Sequence, residues 1–150
     1  MDIAEIARRT KIKPERLRYV IDRGAVPNGS RFGQGRGSAR DLPENEAFVV
    51  AAAAKLIDGG VRKPFAHGFI RGMTAGHANQ WTKIREHMLQ KDSVAVMEVG
   101  DGIYIRVRQA NKAEAPKWVR LRDRQPAPEG YVPVVVVSMD MAALAKELWT

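Results

Sequence analysis

The sequence predicts an α+β protein: an all-helical N-terminal head interrupted by a glycine-rich loop, then a small antiparallel β-rich domain closed by a C-terminal helix. Three observations carry this. Apolar residues recur at helical spacing as far as residue 90, the pattern changes to alternation after Lys91, and helical spacing returns over the last ten residues. The 150 residues, 45% hydrophobic and 28% charged, suffice for one compact domain or two small ones.

Ile3, Ile6 and Ala7 set the apolar face of a first helix over residues 2–10, with Arg8 and Arg9 opposite. Lys11, Ile12 and Lys13 make a tight connection. Pro14 suits the first turn of a second helix, which carries Leu17, Val20 and Ile21 inward and stops at Gly24. Two short helices, a connection of three residues and a basic second helix together match a helix-turn-helix unit. From Val26 to Arg40 the chain interleaves Gly29, Gly33, Gly35 and Gly37 with Arg31, Arg36 and Arg40, a composition suited to a flexible basic wing. A phosphate-cradling nucleotide loop is its rival, but no buried strand precedes it and no Gly-Lys-Ser/Thr closes it.

Acidic Glu44 and Glu46 open a third helix, in which Phe48, Val49, Ala52, Ala53 and Leu56 face inward and Asp58-Gly59-Gly60 makes the stop. The run Ala51–Ala54 permits close helix packing. A fourth helix is expected over 64–72. A connecting helix over 77–90 bears the stripe Trp81, Ile84 and Met88, which wants a partner surface. Beyond it a hairpin is expected, with strands at 94–99 and 103–108 about an Asp101-Gly102 turn, and with Ile103, Ile105 and Val107 sharing one face. A third strand follows at 118–122. The valine-rich stretch 132–138 predicts a fourth strand buried on both faces, with Pro133 near its start or on an edge. Asp140 caps the last helix, whose apolar face is Met141, Leu144, Ala145, Leu148 and Trp149.

Twenty-five Lys and Arg against 17 Asp and Glu give a net charge of +8, and the excess is concentrated early: residues 1–42 hold ten bases and five acids. A polyanion is the natural partner of such a patch, because bases that neutralise phosphates release counterions. A solubilising surface is the alternative reading.

The segments IAEIARRTKIKPERLRYV and LPENEAFVVAAAAKLIDGGV, with the basic glycine-rich loop between them, resemble the DNA-binding head of the mercury-resistance-regulator (MerR) family over residues 1–75. The sequence departs from that family at Val20 and Leu42, where its members carry aromatics. The resemblance implies a winged helix-turn-helix in which Arg18 and Tyr19 meet the major groove or its flanking phosphates and Arg31, Arg36 and Arg40 belong to the wing. Lys13, Arg16 and Arg18, at the start of the second helix, supply phosphate contacts and the fork that reads guanine. A solvated helix face is the other reading of Arg16.

The expected organisation is therefore a DNA-binding head over 1–75, a connecting helix over 76–91, and an oligomerisation or partner-binding domain over 92–150. The leading functional reading is a sequence-specific regulator that binds double-stranded DNA as a homodimer. An architectural DNA-binding protein of a phage or mobile element, similar to excisionases or packaging subunits, stays open. So does a ligand- or protein-binding module in which Tyr104, Trp118 and Tyr131 line a pocket. No catalytic constellation is evident, and no enzyme, cofactor or metal is expected: Cys is absent, and His67, His77 and His87 are not spaced as ligands. With neither a spanning stretch nor a charged, apolar leader, the expected location is cytoplasmic and nucleoid-associated, without membrane contact.

Overall fold

Local chemistry sets the first two helices. In the computed structural model, which describes residues 1–22, 41–64, 66, 89, 95–109 and 116–150, α1 spans Ile3–Thr10. The Asp2 carboxylate accepts from the Glu5 amide at 2.7 Å and so satisfies a helix-start donor. The helix ends where Lys11 turns left-handed, at φ 59°. Thr10 is buried, and its hydroxyl donates to the Ile6 carbonyl at 2.8 Å. Three residues later α2 (Pro14–Asp22) begins, with Leu17, Val20 and Ile21 buried.

The middle of α3 (Glu44–Asp58) is buried all round: every residue from Ala47 to Ala54 is within 2% of complete burial. A helix enclosed on all sides is the hub of its fold, and the four alanines let its neighbours approach closely. Lys63, Pro64 and Ala66 are helical, while the rest of the helix expected at 64–72 and nearly all of that at 77–90 lie outside the described residues.

The C-terminal segment forms a four-stranded antiparallel sheet in the order β3-β2-β1-β4, from β1 (Ala95–Gly100), β2 (Tyr104–Gln109), β3 (Val119–Arg120) and β4 (Val136–Asp140). Strand β1 is central, with Val99 opposite both Ile105 and Val137. A final helix, α4 (Met141–Trp149), starts where the Asp140 carboxylate accepts from the Ala143 amide at 2.8 Å. It packs against α1, α3 and β1. Arg9 donates to the Leu148 carbonyl at 2.6 Å, Lys55 pairs with Glu147 at 2.7 Å, and the Phe48 and Trp149 rings stack 5.3 Å apart. One buried cluster thus runs from Ile6, Leu17 and Phe48 through Met97 and Val99 to Leu148. The mixed helical and antiparallel architecture is α+β, as the sequence predicts. No helix among the described residues is long and apolar enough to cross a membrane.

Three local expectations need correction. The valine-rich strand is not buried on both faces: β4 starts only at Val136, lies at the sheet edge, and alternates, with Val137 and Met139 inward. Val132, Val134 and Val135 precede it in solvent. A valine run meets the demands of an edge as well as those of a centre, and only tertiary context decides. The third strand is two residues long instead of five, since the chain turns at Leu121 and bonds the Leu121 amide to the Ile103 carbonyl. Ile103 itself belongs to the hairpin turn, at φ 60° and half exposed, following Gly102 at φ 71°.

Candidate nucleic-acid interface

The burial of Leu17, Val20 and Ile21 fixes the rotation of α2 about its axis. Glu15, Arg18, Tyr19 and Asp22 are consequently exposed, and Lys13 stands exposed just before the helix start. The Lys13 carbonyl accepts from the Arg16 and Leu17 amides, which seats that first turn.

Arg16 is held rather than free. Its Nε lies 2.6 Å from the Asp58 carboxylate at the end of α3, and its guanidinium carbon is 5.9 Å from the centre of the Tyr19 ring. Lys63 approaches the same ring, with Nζ 4.9 Å from its centre. Two cations therefore approach the Tyr19 ring, which remains 36% exposed, a cation–π arrangement that gathers positive charge beside α2. The sequence by itself does not single out Lys63. The only local signal is the pair Arg62-Lys63 after the α3 stop, because its approach to Tyr19 spans 44 residues.

Arg18 makes no hydrogen bond or ion pair among the described residues, so its guanidinium is available to an incoming partner. The structure thus brings Arg16 and Tyr19 together with Lys63, and leaves Lys13 and Arg18 projecting. Arg31, Arg36 and Arg40 lie outside the described residues. The chain that follows them is tied down: the Met1 ammonium pairs with the Asp41 carboxylate, the Leu42 amide donates to the Met1 carbonyl at 2.8 Å, and Leu42 is buried. Residues 41 and 42 are thereby held against the start of α1. Val20 and Leu42 are both core residues.

On the outer face of the sheet, Tyr104, Trp118 and Tyr131 pack on one another. The Tyr104 and Tyr131 centres are 4.4 Å apart, and Trp118 meets Tyr131 edge-on at 5.9 Å. Arg106 covers the Trp118 ring at 4.5 Å. Gly100 lies beneath this group, where an added Cβ would meet the Tyr131 hydroxyl at 2.7 Å. Beside it, buried Glu98 accepts from Arg106 and Arg108. Burial alone raises the affinity of Glu98 for a proton, but the two guanidiniums outweigh it and hold the carboxyl below the usual range.

His67, His77 and His87 lie outside the described residues, as do Trp81, Ile84 and Met88. Comparison with protein-family models, with curated proteins and with solved structures finds no match to this chain.

Proposed function

We propose that this chain is a sequence-specific regulator that binds double-stranded DNA as a homodimer, with α1 and α2 as its helix-turn-helix and residues 23–40 as its wing. The observation that carries the reading is the polarity of α2. Leu17, Val20 and Ile21 bury one side, while Arg18 and Tyr19 face solvent on the other, next to Arg16 and Lys63. Such a helix offers a fork for base edges and cations for phosphates from one rigid element. The resemblance of residues 1–75 to the mercury-resistance-regulator head, and the basic excess of residues 1–42, support the same conclusion.

Selection of duplexes from a random pool tests it. Enrichment of one palindromic site, abolished by Arg18→Ala, is the expected result. Equal binding of all duplexes would overturn sequence-specific regulation. Phased sites without a palindrome would shift the reading to an architectural protein of a phage or mobile element.

A further inference from the structure

We propose that the outer face of the sheet binds single-stranded nucleic acid, with Trp118 and Tyr104 stacking on bases and the surrounding arginines and lysine meeting phosphates. The inference goes beyond duplex recognition by α2, since it concerns other residues and another ligand.

Positive charge in the C-terminal part of the chain is sharply local. Residues 93–150 hold eight bases, and seven of them fall within residues 104–124, where only Glu114 and Asp123 are acidic. The sheet gathers much of this onto one face. Tyr104 lies directly opposite Arg120 in the pairing of β2 with β3, and residues two apart along a strand share a face. Tyr104, Arg106 and Arg108 of β2 therefore stand beside Trp118 and Arg120, and all five are partly exposed. The approach of Arg106 to the Trp118 ring at 4.5 Å, and of Arg120 to the Tyr104 ring at 6.0 Å, follows from that register. Met97, Val99 and Ile105, buried in the core, take the opposite face.

The carboxylates nearby do not cancel this charge. Buried Glu98 is shared between Arg106 and Arg108, one acid for two guanidiniums. Asp123 pairs with Arg120 at 3.2 Å, and Asp101 accepts from the Val134 amide beside the Tyr131 hydroxyl. The described bases from Arg106 to Arg124 number six against these three acids. Lys117 and Arg122 are exposed and make no hydrogen bond or ion pair among the described residues. A positive surplus selects a polyanion, and the rings select among polyanions. An acidic peptide has no flat faces to offer, and a duplex keeps its base faces inside the stack. A single strand presents phosphates and base faces together, and the Arg106 guanidinium over Trp118 extends the surface on which a base can stack.

The test titrates the full-length protein into fluorescent dT and rU oligonucleotides of about 15 nucleotides at about 50 mM salt, where phosphate contacts are strong. Binding should raise the anisotropy and weaken as salt rises, and the tighter of the two strands identifies DNA or RNA as the source. Trp118→Leu should weaken binding roughly 5- to 100-fold, the loss of one stacked base, while Trp118→Phe stays near parental. Lys117→Glu combined with Arg122→Glu, both in solvent, should keep the parental circular dichroism, weaken binding about 10-fold or more and lower the salt slope. Neither change should alter affinity for a selected duplex, whereas Arg18→Ala should do the reverse, so this proposal and the duplex reading can fail separately. Photocrosslinking to a bromouracil-substituted strand should place adducts within residues 104–131, and it decides the stacking if Trp118→Leu fails to fold. A parent that binds neither strand at about 100 μM, or folded variants with parental affinity, would overturn the proposal. So would a loss seen on charge reversal but not in folded Trp118→Leu, adducts confined to residues 1–42, or displacement by polyglutamate as effective as by unlabelled strand.

Discussion

Arg16 of α2 and Asp58 of α3 form an ion pair at 2.6 Å across 42 residues of sequence, each about 40% exposed. The pair clamps α2 onto the end of the central helix, while Arg18, two residues on, makes no hydrogen bond or ion pair among the described residues. The two arginines should therefore respond differently to substitution. Arg18→Ala is expected to weaken binding of a selected duplex by about 1–3 kcal/mol and to relax preference at one base position, with stability unchanged. Arg16→Ala should lower stability by about 0–1 kcal/mol, as exposed pairs do. Binding isotherms and urea melts of both variants check this. Equal effects on both measurements would remove the distinction.

A second expectation concerns Glu98. Its folded pKa lies below the unfolded value of about 4.3, so its contribution to stability is fully present above that value and is lost as pH falls through the folded pKa. Glu98→Gln leaves Arg106 and Arg108 facing each other without a carboxylate and should cost about 1–3 kcal/mol at pH 7. The difference from the parent should narrow steadily below about pH 4. Urea unfolding at several pH values decides, since a pH-independent difference would mean that shape, not charge, is what Glu98 supplies.

Gly100 gives a packing test on the same face. A Cβ there would lie 2.7 Å from the Tyr131 hydroxyl and 2.8 Å from the Pro133 Cβ, both inside contact distance. Gly100→Ala should thus destabilise by about 1–3 kcal/mol through overpacking. Relief should follow when Tyr131→Phe removes the hydroxyl, so a double-mutant cycle between the two positions should show coupling. Additive effects would place the strain at Pro133 alone.

What the sequence made legible was what local chemistry decides. Asp2 and Asp140 each cap the helix they precede, Pro14 opens α2, and Leu17 and Ile12 are core, all readable from spacing and residue type within a few positions. The alternation of residues 95–109 likewise gave the hairpin. What required the folded chain was neighbourhood. Nothing local tells Val134 that it flanks an edge strand, tells Ile103 that it sits in a turn at positive φ, or brings Lys63 to Tyr19. The same limit applies to Arg16, whose spacing puts it on a helix flank but cannot announce Asp58.

The wing prediction follows from residues 33–37, where three glycines alternate with Gln34 and Arg36 and offer little to pack. Changing Arg31, Arg36 and Arg40 together to Ala should reduce the dependence of log affinity on log salt by about two to three per protomer, nearly one unit for each phosphate no longer neutralised. Melting should be unaffected. A parental salt slope in the triple variant would remove the loop from the interface.

The final prediction joins the two ends of the chain. The sequence marks a head at residues 1–75, and α4, from the last ten residues, lies against α1 and α3 of that head. Leu148 is wholly buried, its carbonyl accepts from Arg9, and the Trp149 ring stacks on Phe48, itself wholly buried. Removing α4 would expose the flank of the central helix and take the Leu148 carbonyl from Arg9, leaving it Glu5 alone, so the stability of residues 1–75 should depend on it. Leu148→Ala is expected to cost about 2–5 kcal/mol, the range for emptying a closed core site. Because one cluster spans α1, α3, β1 and α4, the destabilisation should appear as a single transition, with α1 amides and β1 amides losing exchange protection together. A fragment ending at residue 75 should melt at lower temperature and with less cooperativity than the full chain. If that fragment instead unfolds as sharply and at the same temperature, the head is autonomous and α4 merely rests on it.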